Sequence, residues 1–461
     1  MPEVHAAPPA ASDAIFQPLR LHGIALRNRV LRSSIGGRTC NYDGSVTDVW
    51  KNFEKRFADG GVGAIISTTF HVNAQRLSPL QYPSIAQDRY VPLLRKYIAQ
   101  IQESGARYIM QIGDPGYATY SSLLPEPDDS LSSSDGFDFA FGYGNRRRAM
   151  TETQIRRSIA EHAEAARRAR EAGVDGIEIT IAKGYLIHQF LNPAINRRDD
   201  DWGGDAQKRF RFLEEIMRAV RQAVGDDFLV GIRLSGTDYN TSPLALALLR
   251  WPPVVVSREV RVGNGIERMR DYAQQLERLG AGYFHVTSGY GFPNPHDVPG
   301  EFPVPEIRMF FDSVRHLSGK AAVRAAVAHA IPAPLVGRLL SAPFVRCKPV
   351  NLELARQIRS AVRVPVIANG GFQKYADIHD ALATGACEGV SMARALIATT
   401  DLLPRYFRNR TDPPEKKQCT QCNRCVGRTT TSPLGCYEPD RFDSPQDMLD
   451  EIFRFNRSDG A

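Results

Sequence analysis

Short apolar runs, rich in β-branched residues, recur along the chain at positions 29–34, 63–68, 108–112, 176–181, 228–234, 283–287, 364–368 and 389–392. Each has the length of a strand. Most are separated by segments whose apolar positions repeat at helical period, at 90–104, 151–172, 207–224, 266–279 and 375–384. Several of these end alike, as Ser104-Gly105, Ala172-Gly173, Leu279-Gly280 and Thr384-Gly385, where glycine suits the left-handed residue that closes a helix before the next strand. The alternation predicts parallel strand pairing through right-handed crossovers, because a short hairpin cannot return a strand in the parallel sense. A closed (β/α)8 TIM barrel of the α/β class satisfies eight such units, and an open doubly wound sheet is the alternative.

Two long insertions interrupt the pattern, at 236–263 after the fifth strand and from 290 to about 349 after the sixth. Both follow strands, so in a barrel both emerge on the C-terminal face where active sites are assembled. They read as lids or, with equal weight, as surface loops or a homo-oligomer contact. The barrel is expected over residues 1–410, with a cysteine-bearing segment and an acidic amphipathic tail (444–455) filling 411–461.

The chain has 461 residues, 43% hydrophobic and 24% charged, which suffices for a large core and excludes compositional disorder. Its formal charge of +7 raises the question of nucleic acid. The cations, however, are interspersed with acids on helical faces such as 154–171, with no basic patch interleaved with aromatics, so a small-molecule substrate and no nucleic acid is expected. The N-terminus lacks a basic stretch followed by an apolar one, and the longest apolar stretches, near 244–256 and 331–345, are broken by Pro and Arg. No export leader and no membrane span are therefore expected, and the expected location is cytoplasmic. There, seven cysteines do not suggest a disulfide framework, and four of them crowd into residues 419–436, which points to ligation.

Two motifs suggest chemistry. The run Val364-Pro-Val-Ile-Ala-Asn-Gly370-Gly371 ends a buried strand on two glycines, and Gly389-Val-Ser-Met-Ala393-Arg394 closes the next in the same style. Such turns on the seventh and eighth strands either cradle a phosphate, the usual barrel site, or are simply tight connections. The spacing Cys419-x2-Cys422-x2-Cys425-x10-Cys436 can enclose an iron–sulfur cluster, and four thiolates suit zinc as well.

Further motifs run through most of the chain: Asn28-Arg-Val-Leu-Arg-Ser33-Ser34-Ile35-Gly36, Gly184-Tyr-Leu-Ile-His-Gln-Phe-Leu-Asn-Pro193, Asn196-Arg-Arg-Asp-Asp-Asp-Trp-Gly-Gly204 and Val230-Gly-Ile-Arg-Leu234. Together with the Ile-Ala-Asn-Gly-Gly strand they resemble the old yellow enzyme family of FMN barrels, in the branch that includes 2,4-dienoyl-CoA reductase and trimethylamine dehydrogenase. The resemblance implies that Ser33, Ser34, Ile35 and Gly36 line one side of the flavin and that Gln111 and Arg233 meet its pyrimidine edge. A fixed cation at that edge stabilises the anionic reduced ring. Gly370, Gly371, Ala393 and Arg394 would bind the phosphate. The cysteine run Cys-Thr-Gln-Cys-Asn-Arg-Cys resembles the family's cluster-bearing branch, which implies a 4Fe–4S cluster on Cys419, Cys422, Cys425 and Cys436. The chain ends about 25 residues after Cys436, and no GxGxxG follows a strand, so the C-terminal dinucleotide- or FAD-binding region of those relatives is not expected here.

The departures from the family pattern bear on substrate. A His-x-x-His or His-x-x-Asn pair that holds a substrate carbonyl is replaced here by Thr180 and Lys183, and the usual Gln-Leu-x-His-x-Gly-Arg reads Gln111-Ile-Gly-Asp-Pro-Gly-Tyr117. Tyr185 stands where the family places a proton-donating tyrosine, and His188 and His296 are further candidate donors. Lys183 either lowers the tyrosine pKa, clamps an anionic substrate oxygen, or is a solvated cation near the barrel mouth. The resemblance implies an FMN-dependent oxidoreductase that reduces an activated C=C bond by hydride transfer from flavin N5, with NADH, NADPH or a redox protein as donor. The alternative is an oxidative dehydrogenase or demethylase passing electrons from FMN through the cluster to an electron-transfer protein.

Overall fold

The computed structural model describes residues 13–75, 81–118, 130–138, 145–240, 262–291, 294–346 and 348–454. Eight parallel strands form its centre: β1 (Val30–Arg32), β2 (Ala64–Ile66), β3 (Arg107–Gly113), β4 (Gly176–Ile181), β5 (Leu229–Ser235), β6 (Tyr283–Thr287), β7 (Val366–Asn369) and β8 (Gly389–Met392). Each pairs with its successor, and β8 pairs back onto β1, so the sheet closes. Closure removes the row of unpaired backbone groups that an open sheet exposes, and the doubly wound alternative falls.

The helices around the barrel are α1 (Asp48–Asp59), α2 (Val91–Gln102), α3 (Glu152–Glu171), α4 (Ala206–Val224), α5 (Ile266–Arg278), α6 (Val304–Val314), α7 (Gly319–His329), α8 (Ala333–Ser341), α9 (Leu352–Arg359), α10 (Tyr375–Ala383) and the five-residue α11 (Arg394–Ala398). Local sequence explains their ends. α3 begins at a capping box in which the Thr151 hydroxyl accepts from Gln154 N and the Gln154 side-chain Oε1 accepts from Thr151 N, worth about 1 kcal/mol. Gly105, Gly173, Gly280 and Gly385 all adopt left-handed φ, between 66° and 92°, as the helix-closing glycines require.

An antiparallel hairpin, Leu19–Leu21 with Ile24–Leu26, stoppers the N-terminal end of the barrel. Leu19, Leu21 and Leu26 pack against the interior residues Leu31, Ile66, Ile109, Leu229 and Ile367. Each such burial stabilises by about 1.5–3 kcal/mol, so the polar chemistry is left to the opposite end. Of the first insertion, residues 241–261 lie outside the described residues. The second is three helices, α6 to α8, in which Phe310 and Phe311 of α6 pack on Ala325 and Ala328 of α7. The cysteine segment lies against the barrel: Cys425 and Leu434 belong to the barrel's own hydrophobic core. The acidic tail forms a helix, Pro445–Phe453, with Ile452 buried and Glu451 paired to Arg56 of α1 at 3.3 Å.

Candidate active site

Strand register determines which side chains meet inside the barrel. Glu178 of β4 is level with Gln111 of β3, Thr180 is level with Arg233 of β5, and Arg233 is level with His285 of β6. These positions share the inward face, and Gly231 makes room among them, because a Cβ there would fall inside the Tyr283 ring.

A buried polar ring results. Gln111 Nε2 donates to Glu178 at 2.6 Å, while Gln111 Oε1 accepts from Ser34 at 2.9 Å and from Thr69. Glu178 also accepts from Tyr283 at 2.8 Å and meets His285 Nδ1 at 3.1 Å. His285 Nε2 reaches Ser391 at 2.7 Å, and the Asn369 amide donates to both Ser391 and Ser33. Burial pushes the Glu178 carboxyl upward, but His285, Arg233 and the Gln111 amide outweigh it and hold the group below its ordinary range. Burial pushes the His285 imidazole below its ordinary value against the opposing pull of Glu178.

Above this ring, toward the strand ends, the charge is positive. Arg233 is buried, its Nε has no hydrogen-bond partner, and Glu178 acts on it only through space. Lys183 follows β4 in a left-handed conformation, φ 61°, continued by Gly184 at 84°. Burial, Arg233 and Arg394 all push its ammonium well down from the ordinary value, while contact with the Asp297 carboxylate favours the charged form. Lys183 also donates to the Ser288 carbonyl at 3.0 Å. Burial raises the Tyr185 phenol, opposed by Thr69 and Arg233, so the phenol holds its proton. The suggestion that Lys183 lowers the tyrosine pKa therefore does not hold, since the cation near the phenol is Arg233. Thr180 is buried, packed against Gly113.

One further expectation is corrected. His188 is closed off from the reaction space: its Nδ1 accepts from Gly184 N at 3.0 Å and its Nε2 meets Asp238 at 2.7 Å, so it holds the Lys183–Gly184 turn in place. The Gly370–Gly371 turn, with φ of 102° and 87°, has no room for a side chain, because a Cβ on Gly371 would strike the Lys348 carbonyl oxygen and one on Gly370 would strike Asn351. The glycines are required by that close chain approach. Asp297, which gathers Lys183, Thr287 and Asn351, gave no sequence signal; Glu178 and His285 were also missed, although an acid in Gly-Ile-Glu178-Ile-Thr-Ile and an imidazole in Tyr-Phe-His285-Val-Thr are polar residues inside strand runs, a signal that could have found them.

Arg394 links this mouth to the cysteine segment, donating to Pro299 O at 2.6 Å and to the Asn423 side chain. The four cysteines are free thiols within electrostatic reach of one another, with burial and the neighbouring sulfurs raising Cys425 well above the ordinary thiol value. Gln421 N donates to Cys419 Sγ at 3.4 Å and Arg441 to Cys436 Sγ at 3.0 Å. Among the described residues no three His, Cys, Asp or Glu side chains converge on a single metal position.

The C-terminal end of the closed (β/α)8 barrel thus carries a buried polar ring, a cationic mouth and a glycine turn after β7. The chain belongs to the NADH:flavin oxidoreductase / NADH oxidase family, whose family model matches residues 14–247. A nitronate monooxygenase family model matches residues 348–415, which carry β7 and β8. The chain is 29% identical to a metal reductase of Desulforamulus reducens over 92% of its length and 53% of the relative's. It is 25% identical to an NADH oxidase of Thermoanaerobacter brockii over 90% of its length and 53% of the relative's. It thus spans about half the length of these curated relatives. A solved 2-naphthoyl-CoA reductase shares the fold with a TM-score of 0.71 and 21% identity, over 92% of this chain and 56% of the other.

Proposed function

We propose that this chain is an FMN-dependent reductase of an activated C=C bond in a small-molecule substrate, with NADH, NADPH or a redox protein as donor. One observation carries the reading: Lys183, Arg233 and Arg394 converge on the barrel mouth, and among the described residues the only carboxylate touching these three cations is Asp297. A buried guanidinium with an unpartnered Nε is costly unless a ligand answers it, and a flavin pyrimidine edge and phosphate would do so.

The residues present fit FMN. The Ser33–Gly36 turn, Gln111 and Arg233 would hold its ring, and the backbone around Gly370, Gly371, Ala393 and Arg394 its phosphate. Bound there, FMN supplies two-electron hydride chemistry. The protein's part is to place the substrate and move a proton. Tyr185, kept protonated by burial, gives its proton to the substrate α-carbon, and Lys183 balances negative charge growing on the substrate oxygen. Thr180 takes the place of a donor to that oxygen. The naming of one relative as an NADH oxidase supports the nicotinamide donor.

We propose further that residues 411–461 act beside the barrel as a cluster-binding segment, with Cys419, Cys422, Cys425 and Cys436 as 4Fe–4S ligands. Support comes from the donor set, four thiols with N–H groups of Gln421 and Arg441 directed at two of the sulfurs. Purification without oxygen tests both cofactors at once. The expected result is a flavin spectrum over a broad iron–sulfur shoulder, with iron and acid-labile sulfide each near four per chain and both lost in Cys422→Ser. One zinc per chain without sulfide overturns the cluster. Anaerobic mixing with NADH or NADPH should bleach the flavin rapidly, whereas bleaching only by an amine or a saturated substrate would reverse the proposed direction.

A further inference from the structure

The second insertion carries a surface that the proposed reaction does not use. Of the thirteen exposed large apolar side chains among the described residues, eight lie between Met309 and Val345; of the other five, Leu449 and Phe453 pair on the C-terminal helix and Tyr42, Leu93 and Phe137 stand apart. Val323, Val327, Ile331, Leu335, Leu339 and Val345 are 42–70% exposed. On each helix the exposed pair is one turn apart and so shares a face, Val323 with Val327 on α7 and Leu335 with Leu339 on α8. The inner side of α7 is already covered, by Phe310 and Phe311 against Ala325 and Ala328, and α8 has no buried residue at all. A helix this apolar is ordinarily covered, in a core or by lipid.

The charge on the same segment is of one sign. Between Ser313 and Asn351 the sequence contains Arg315, Lys320, Arg324, Arg338, Arg346 and Lys348 and no Asp or Glu. The nearby acids are taken: Glu301 by Arg346, Asp312 by His329, and Glu306, which is buried, by Arg428. Cations therefore sit among the aliphatic residues, Arg324 beside Val323 and Arg338 beside Leu339. A protein–protein interface core depletes Lys and leans on aromatic anchors, yet the segment has no Trp or Tyr. Aliphatic insertion flanked by basic side chains whose charged ends reach outward is the pattern of a helix lying in a lipid interface.

α7 and α8 match a span by combined length and composition, but not as one straight helix. No single described helix is long and apolar enough to cross a membrane, and α7 and α8 meet at 91°. The 11 residues of α7, at about 1.5 Å each, fall far short of a hydrocarbon core about 30 Å thick.

We propose that α7 and α8 form an interfacial docking surface for an anionic lipid bilayer, the aliphatic side chains entering the headgroup boundary and the basic ones meeting lipid phosphates. Gly300 N donates to Val345 O at 2.7 Å, so the docked face connects to the loop that carries Asp297. Docking would thus hold the barrel mouth near the membrane.

The test is co-sedimentation of the full chain with phosphatidylcholine vesicles with and without phosphatidylglycerol, at low and high salt. The expected result is recovery with the anionic vesicles that falls as salt rises. Leu335→Glu with Leu339→Glu should lower binding by about tenfold or more, because both inserted side chains are lost. Arg338→Gln should weaken it several-fold, and Leu449→Glu with Phe453→Glu, elsewhere on the surface, should leave it unchanged. These positions are exposed, and unchanged circular dichroism would show that the variants fold. Equal recovery on neutral vesicles, or none on anionic ones, overturns the proposal. So does a dimer that dissociates in the Leu335→Glu/Leu339→Glu variant without any vesicle binding, which would assign the surface to a second copy of the chain.

Discussion

The ammonium of Lys183 lies against the carboxylate of Asp297, tying the left-handed turn after β4 to the loop after β6. The Lys183 side chain is 19% exposed and that of Asp297 6%, so the pair is neither a surface bridge nor fully dry. Lys183→Met and Asp297→Asn should each destabilise by about 1–3 kcal/mol in urea titrations, between the surface and buried limits. The double variant should lose less than the sum. Additive losses would show that the two groups do not act as a pair. Lys183→Met should also raise substrate KM, since attraction to the bound oxygen is lost.

Tyr185→Phe separates the two halves of the reaction. Reduction by NADH should stay within about twofold of the parent, while turnover of the substrate slows by about 2–4 kcal/mol, the usual range for losing one positioned donor. Stopped-flow traces of the two halves measure this, and equal slowing of both would move the proton donor elsewhere, with the 290–297 loop the next place to look.

Arg233→Met keeps the volume of the side chain and removes the buried cation. FMN affinity should fall by about 1.5–3 kcal/mol, or roughly ten- to a hundredfold, as a charge-assisted hydrogen bond is lost, while the apoprotein still folds. Equilibrium dialysis gives the affinity, and full retention of FMN at dilute protein would remove Arg233 from the site. Gly371→Val is not a useful companion, because its side chain would strike the Lys348 carbonyl whether or not a phosphate binds nearby.

Stability should fall in acid in two stages. The His285 imidazole is held below its ordinary 6.5 by burial, so as pH falls through that value the unfolded chain takes up a proton that the folded one refuses. Glu178 is held below its ordinary 4.5, and its contribution is lost as pH drops further. The first stage should have a slope of at most about 1.4 kcal/mol per pH unit, one proton's worth. Denaturant midpoints between pH 7 and 5 measure it, and His285→Gln should flatten it. A profile with the same slope in that variant would assign the loss to another group.

The pattern of apolar runs was sufficient for the barrel. Eight strands in sequence order, each bounded by turns and followed mostly by a helical period, leave few arrangements that bury every strand on both faces, and the observed ends differ from the expected ones by at most two residues. The helix-closing glycines were legible for a similarly local reason, since a left-handed backbone selects glycine wherever the chain folds. α1 and α9 were not anticipated, and neither were the three helices of the second insertion, whose apolar character is spread over exposed faces instead of marking a buried stripe.

What the sequence determined alone was the set of strands, the residue types at their ends and the clustering of four cysteines, because these depend on spacing along one chain. Tertiary structure decided which groups face one another. Closure of the sheet brought Glu178, Gln111, Tyr283 and His285 into one ring from three strands, and the loop after β6 carried Asp297 across to Lys183. It also turned His188 from a candidate acid into the support of a turn. Partners separated by more than a hundred residues leave no periodic trace, since their meeting depends on register around a closed barrel and not on distance along the chain.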